Sequence, residues 1–596
     1  MNSYKNIIAL GLICLITFSC DSFRTPADNF DLDSQRVSQI IASSTDSIQI
    51  PEFFPDKDVR KYLYQEFKNF YEQRDFKLAW VNFDEPNPEV EELLEAIDEA
   101  AAEGLQPENY KVVEVESLMK NIFKIESKKD RRKRLKEKNS KDEEVANAAK
   151  EQDTLRLKNL VKLDFLLTSS YLTYASHLLS GKIHPDEKEI WFPSRRKKEL
   201  APYLNEALAN RDVKNSLTAL APRHVEYNQL KEAMARYRKI EEEGEWPVLS
   251  SIKDLKQGDS NVVIQDLKKR LAMTGDVDSS LINAKDSLIF NEAMVAGLIK
   301  YQKRHGLEEI GKLDESCWKM LNVSPEVRID QIKLNMERMR WMPETFGDRF
   351  ILVNIPEYQM RFYEDDRVAM EMKVIVGKAY NATPIFSDTM NHIVFSPTWT
   401  VPLSIAVEEM LPRIKEDPDY LTKRNLKLYE SWEKDAEPID PHDIKWKKVD
   451  EENFNFRIVE DPGEANSLGR VKFMFPNDFD IYLHDTPAGH LFNKRERSFS
   501  HGCIRVEKPT ELAQYLLKDL KEWDEEKIKE AMNQEEPETV KLPEKIPVHL
   551  VYWTAWVDDQ GILNFREDIY KQDQEQIKEM ENKEKLLLSK NKTNGN

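Results

Sequence analysis

Glycine is scarce in this chain, 17 of 596 residues, and the prolines number 28. That excludes collagen-like and low-complexity classes and points to helix-rich regions. An excess of cations is missing too: 88 Lys and Arg stand against 108 Asp and Glu, a formal charge of -20 with a pI near 5.2. Phosphate backbones are bound by clustered positive charge, so no nucleic acid partner is expected. No apolar run reaches the roughly 20 residues that cross a bilayer as a helix. Only 4 cysteines occur. Cys14 and Cys20 fall in the leader, and the remaining Cys317 and Cys503 are too few for a disulfide framework. Against these absences stand 40% hydrophobic and 10% aromatic residues, spread over a length that suits roughly three or four domains.

The first residues carry one cation, Lys5, and then the apolar run Ile7 to Phe18. That pattern is a signal peptide. It ends Thr17-Phe18-Ser19-Cys20-Asp21, a small residue directly before a cysteine, which resembles the lipobox of bacterial lipoproteins. A diacylglyceryl thioether on Cys20, together with N-acylation, exceeds the single chain that binds membranes only marginally, so the mature protein is expected to stay anchored. The alternative is an ordinary secretory signal with Cys20 incidental.

Organisation changes along the chain. Residues 1–19 form the lipoprotein signal peptide and 20–57 a polar linker. Residues 58–249 show helical spacing, with Tyr62, Phe67 and Phe70, then Leu93, Ile97 and Ala101. Within them, 126–155 is almost uniformly charged, including the basic run Lys128 to Arg134, and is expected to be a solvated helix or disordered insertion. Leu163, Leu166, Leu167 and Tyr171 mark an apolar helix that stops at Gly181. Residues 250–325 pattern as three helices, with Asp314 capping the third. Lys256, Gly258 and Asp259 before the first, and Tyr301 to Leu307 closing the second, resemble a small peptidoglycan-binding domain.

From Arg349 the period becomes two, with strand-like runs Phe350–Asn354, Tyr358–Tyr363, Val368–Val376 and Asn391–Val401. Residues 403–456 interrupt the sheet, an excursion long enough to be a lid. Strands resume at Val471 and Asp480, a helix follows Pro509, and Val548 to Trp556 is a last strand. The domain thus covers 326–570, with 571–596 a polar tail. The fold class is multidomain α+β: a helical scaffold domain, a small three-helix domain, and a mainly β catalytic domain with an inserted helical lid.

Chemistry concentrates in Ile481-Tyr482-Leu483-His484-Asp485 and Ser500-His501-Gly502-Cys503-Ile504-Arg505. Alternate strand residues share a face, so Tyr482 and His484 point one way while Ile481 and Leu483 enter the core. A cysteine nucleophile needs a base or a cation, and an imidazole from a neighbouring strand supplies one. Gly502 permits a turn in which the amides of Gly502 and Cys503 converge on an oxyanion. His501 is a second imidazole, able to donate to the base, to the intermediate or to a carbonyl. The plainer readings are a buried apolar cysteine and a hydrogen-bonded histidine. Zinc is a sharper rival through His484, His501, Cys503 and Asp485, but no second cysteine completes a tetrahedral set and Arg505 would oppose the metal. No metal is expected.

Ser500-His501-Gly502-Cys503 with Arg505, preceded by His484, closely resembles the active-site signature of YkuD-type L,D-transpeptidases. Likeness extends through Pro462-Gly463, Asn466, Leu468-Gly469, Val471-Lys472-Phe473, Phe475-Pro476-Asn477, Leu491-Phe492, Trp399 to Pro402, Gly104 to Pro107 and Tyr552 to Trp556. It is similar to the large YcbB-like subgroup, in which Asp485 replaces the glycine of simpler members. The resemblance implies that Cys503 attacks the third-residue carbonyl of a tetrapeptide stem, with His484 as general acid/base, releasing D-Ala and passing the acyl group to an amine of a second stem. It implies oxyanion or orienting roles for Ser500, His501 and Gly502, and substrate contacts for Tyr482, Arg505 and Trp399. No cofactor is implied. Partners would be peptidoglycan stems and glycan and the membrane through Cys20, with carbapenems as inhibitors and the periplasm of a Gram-negative-type bacterium as location. The alternatives are an L,D-carboxypeptidase or endopeptidase using the same thiol, or a non-catalytic wall-binding lipoprotein.

Overall fold

The computed structural model describes residues 26–47, 50–123, 136–137, 140, 142–184, 190–192, 196–252, 255–365, 367–433 and 436–589. The leader with Cys20 and the basic run 128–134 lie outside them. The N-terminal half is helical, built around Glu143–Ser180, a helix of 38 residues. Its last part is buried on every side, from Leu163 to Leu179, as befits a helix surrounded by others. Asp142 caps it by accepting from Glu144 N at 3.1 Å. Gly181 ends it at φ +85, where a Cβ would lie 2.5 Å from both Glu337 and Trp341. Residues 143–155 of the charged segment therefore continue the central helix.

Two stretches expected to be a linker and a tail are folded. Helix Pro26–Ser47 buries Val37 and Ile41 against the scaffold core, and Arg36 pairs with Asp153 at 3.1 Å. Helix Asp573–Ser589 buries Met580 and Leu587 and ties two domains together. On one side Lys583 reaches Asp56 at 2.6 Å and Glu584 accepts from Lys182 at 2.6 Å. On the other, Arg338 meets Asp573 at 2.8 Å and donates to Gln576 at 3.0 Å. Both stretches are polar because ion pairs, rather than an apolar stripe, carry much of their contact.

Residues 263–321 form three helices, Val263–Met273, Glu292–Arg304 and Glu315–Leu321, around Ile264, Leu267, Leu298, Tyr301 and Trp318. Asp314 caps the last by accepting from Cys317 N at 2.7 Å.

The C-terminal domain opens with β1 (Arg349–Asn354), β2 (Gln359–Glu364), β3 (Arg367–Gly377) and β4 (Ser387–Phe395). An insertion supplies β5 (Trp399–Thr400), β6 (Leu426–Tyr429) and β7 (Arg457–Glu460). Then follow β8 (Val471–Met474), β9 (Leu483–His484), β10 (Ser498–Ser500), β11 (Ile504–Val506) and β12 (Glu538–Val551), and a hairpin of β13 (Ala555–Val557) and β14 (Leu563–Phe565). The main sheet has 9 strands in the order β10-β3-β11-β9-β8-β4-β12-β1-β2, and β2 also pairs with β3. Strands β3 to β2 thus close on themselves, and β10 adds to β3 on one side only. Its interior holds Ile351, Val374, Ile393, Phe473, Leu483 and Ile504.

The run expected as one strand from Asn391 to Val401 is broken. Ser396 takes φ +43 and Pro397 lacks an N–H, so β4 ends at Phe395 and β5 joins a separate sheet, β5-β7-β6. The insertion expected to be helical is mixed: β6 buries Leu426 and Leu428 with Lys427 exposed between them. It has its own core of Val401, Met410, Ile414, Trp446 and Ile458.

Asp573→Ala should lower stability by about 3 kcal/mol, because Arg338 and Thr554 lose a buried acceptor. Chemical denaturation checks this; a loss near zero would mean that the helix does not hold the domains.

Candidate active site

The site is built by strand register. β11 pairs with β9 in parallel, Ile504 opposite Leu483 and Arg505 opposite His484. Ile504 and Leu483 are wholly buried in the sheet interior. Strand alternation therefore turns Tyr482, His484, Cys503 and Arg505 onto the other face. On the far side of β9, β8 runs antiparallel and sets Lys472 opposite His484. One row across the sheet thus reads Lys472, His484, Arg505, and the next carries Tyr482 and Cys503. The Tyr482 and His484 rings stand 5.8 Å apart, nearly perpendicular, and Lys472 Nζ lies 5.5 Å from the Tyr482 ring centre.

His484 is 4% exposed. Its Nδ1–H donates to the Asp485 carbonyl at 2.6 Å, which fixes the tautomer and leaves Nε2 as the basic nitrogen. Burial foremost, then the charge of Arg505, brings its pKa down to about 3. Cys503 is half-buried, and desolvation pushes its thiol up to about 11 against the pull of the Tyr482 backbone and hydroxyl. The resting pair is therefore a neutral thiol and a neutral imidazole. Sγ donates to the Asp480 carbonyl at 3.5 Å rather than to His484. The thiol and the imidazole sit diagonally, about 8 Å apart by strand spacing between their Cα atoms.

The turn before Cys503 is locked from beneath. Gly502 adopts φ +118, a conformation that side chains resist. Its carbonyl accepts from Thr383 Oγ1 at 2.7 Å, and that oxygen accepts from Gly377 N at 2.9 Å. Tyr570 OH donates to the Gly377 carbonyl at 2.9 Å and accepts from Thr383 N at 3.1 Å. In a trans peptide the C=O and N–H point opposite ways, so holding the Gly502 carbonyl toward Thr383 aims Cys503 N–H outward. Ser500 is buried and joins the same frame, its carbonyl accepting from Lys378 N at 2.9 Å. Thr383 and Tyr570 escaped sequence reasoning. The only signal was Thr383-Pro384 after Gly377, which suggests a turn rather than chemistry.

His501 does not approach the thiol. Its Nε2 meets Glu409 Oε1 of the inserted subdomain at 2.5 Å, tying that subdomain to the turn. Trp399 is half-buried at the root of the lid, paired with Glu460 in β5-β7, and belongs to the lid core rather than to the Cys503 face. Arg505 does share that face, half-buried and with Nε unbonded. Among the described residues no three His, Cys, Asp or Glu side chains cluster as metal ligands.

Residues 348–528 match the family described as the L,D-transpeptidase catalytic domain, YkuD, and residues 65–234 match a family described as a scaffold domain. A curated protein of Haemophilus influenzae, "Putative L,D-transpeptidase", is 35% identical over 253 residues, 42% of this chain and 50% of that protein. The chain thus spans about half the length of that relative. The helical scaffold and the mainly β catalytic domain of the matched families are the architecture described above.

Iodoacetamide alkylation of Cys503, followed by peptide mass spectrometry to separate it from buried Cys317, should keep accelerating as pH rises above 9. A plateau reached below pH 8 would instead indicate a preformed thiolate and imidazolium.

Proposed function

We propose, from the L,D-transpeptidase catalytic domain that this chain carries, that the protein cross-links peptidoglycan stem peptides through Cys503. The observation that supports this is the shared sheet face of Cys503 and His484 inside residues 348–528. A tetrapeptide stem lays its third-residue carbonyl against Sγ. His484 Nε2 takes the thiol proton as the S–C bond forms, and returns it to the D-Ala nitrogen as the C–N bond breaks. A thioester remains. The side-chain amine of a second stem then attacks it, the S–C bond breaks, and the amine proton goes back through His484 to sulfur. The cleaved amide supplies the energy of the new one.

Cys503 N–H, aimed by Thr383 and Tyr570, donates to the oxyanion of both tetrahedral intermediates, an effect of about 3 kcal/mol per donor in comparable sites. Ser500 and Gly502 hold that turn, while His501 anchors the lid through Glu409. Tyr482 lines the floor beside the sulfur. Excluding water under the lid favours an amine acceptor over hydrolysis. The three-helix domain would hold glycan, and a lipid on Cys20 would keep the enzyme at a membrane facing the periplasm. Carbapenems would acylate Cys503.

Cys503→Ala and His484→Ala should abolish D-Ala release from a disaccharide-tetrapeptide, followed by product mass. Turnover retained in the Cys503 variant would eliminate sulfur as the nucleophile. Glu409→Gln should raise the share of shortened monomer over cross-linked dimer several-fold, because the lid loses its charged tie. An unchanged product ratio would show that closure does not depend on this contact.

A further inference from the structure

Two cations on the reactive face have no counter-charge. Lys472 and Arg505 flank His484 from the neighbouring strands, in register with it on either side. Both are half-buried, and Cys503 is the titratable group that each of them feels. Neither has a carboxylate partner within ion-pair reach among the described residues, and Arg505 Nε is buried without a hydrogen bond. Elsewhere the buried Arg338, Arg340 and Arg304 have an acid, Asp573, Glu337 and Asp276, while the buried Arg270, Arg328 and Arg497, which have none, donate to carbonyl or amide oxygens instead. Desolvated charges are normally paired, since an unpaired one costs several kcal/mol. A row of two unpaired cations beside a nucleophile is the arrangement a bound anion would complete.

We propose that Lys472 and Arg505 form a carboxylate-binding pair that receives the free C-terminal carboxylate of the donor peptide, one residue beyond the bond that Cys503 cleaves. The inference rests on the peptide acyl transfer proposed above and names the part of the donor that the site reads. Spacing supports it. Cys503 stands two residues before Arg505, just ahead of β11, about 7 Å away by extended spacing. A carboxylate one residue past the scissile carbonyl lies about 4 Å from it, which leaves about one hydrogen-bond length to the guanidinium. Arg offers a planar fork and Lys a point charge, so the two can hold both oxygens of one carboxylate.

The position of His484 between them adds a second consequence. Burial foremost, then the charges of Arg505 and Lys472, opposes protonation of the imidazole, so in the free enzyme His484 is a poor base. A bound carboxylate offsets that charge and makes the ring a better proton acceptor at the moment a correct donor is present. Donor recognition would therefore appear in kcat as well as in KM.

The experiment compares two donors, a disaccharide-tetrapeptide with a free C-terminal carboxylate and the same compound as its carboxamide. Wild-type enzyme should prefer the acid by about tenfold or more in kcat/KM, part of it in kcat. Lys472→Met and Arg505→Met should each shrink the acid-to-amide ratio about tenfold, and Lys472→Arg should restore much of it. Melting temperatures identify any variant that fails to fold, and the wild-type comparison stands without the variants. Equal use of acid and amide by the wild type, or an unchanged ratio in folded Met variants, overturns the carboxylate pair while leaving acyl transfer intact. If neither donor labels Cys503 or releases an amino acid, both readings fall together.

Discussion

The parallel pairing of β9 with β11 is the constraint from which the site follows. Each strand is only a few residues long, yet Ile504 against Leu483 fixes which side chains enter the core. A shift of one residue would bury the thiol and the imidazole and expose two aliphatic side chains, so the hydrophobic core specifies which residues share the Cys503 face. β8 extends the same logic: burying Phe473 turns Lys472 outward beside His484. The site is thus the polar reverse of a well-packed sheet.

That placement sets the electrostatics. A histidine amid two cations and out of water stays neutral, and a thiol on the same dry face stays protonated. An ion pair formed in advance would have to be desolvated and would leave less driving force for chemistry. The neutral arrangement avoids that cost in the resting site. The turn that carries the sulfur is held differently, by neutral buried hydrogen bonds through Thr383 and Tyr570, which position an amide without adding charge.

Much of this was legible in the chain. Gly502 before Cys503, and His484 at the end of an alternating run, carry their chemistry in residue type and neighbours, and the β period from Arg349 locates the domain that holds them. The strand expected at Asn391 to Val401 failed at Ser396, because a bend imposed by Pro397 outweighs local β pattern. His501 was read as facing the chemistry, but its partner Glu409 lies in an insertion whose fold no local pattern announces. Helices Pro26–Ser47 and Asp573–Ser589 were read as linker and tail since their contacts are ion pairs to distant residues, and composition scores such segments as solvated. Thr383 and Tyr570 act only through backbone groups brought close by the tertiary fold, so nothing in their own surroundings marks them.

The terminal helix has a bearing on how the chain matures. Its partners lie as far away in sequence as Asp56, and Lys182 and Arg338 stay uncompensated in their pockets until it arrives. Ribosomes make these residues after both domains they clasp, so the first-made domain must wait with open anchor points while everything between is synthesised. Fusion of the two halves becomes a closing event in biogenesis rather than an early one. A chain stopped before Asp573 would keep Ser500 to Cys503 and still lack the clasp that unites their domain with the scaffold.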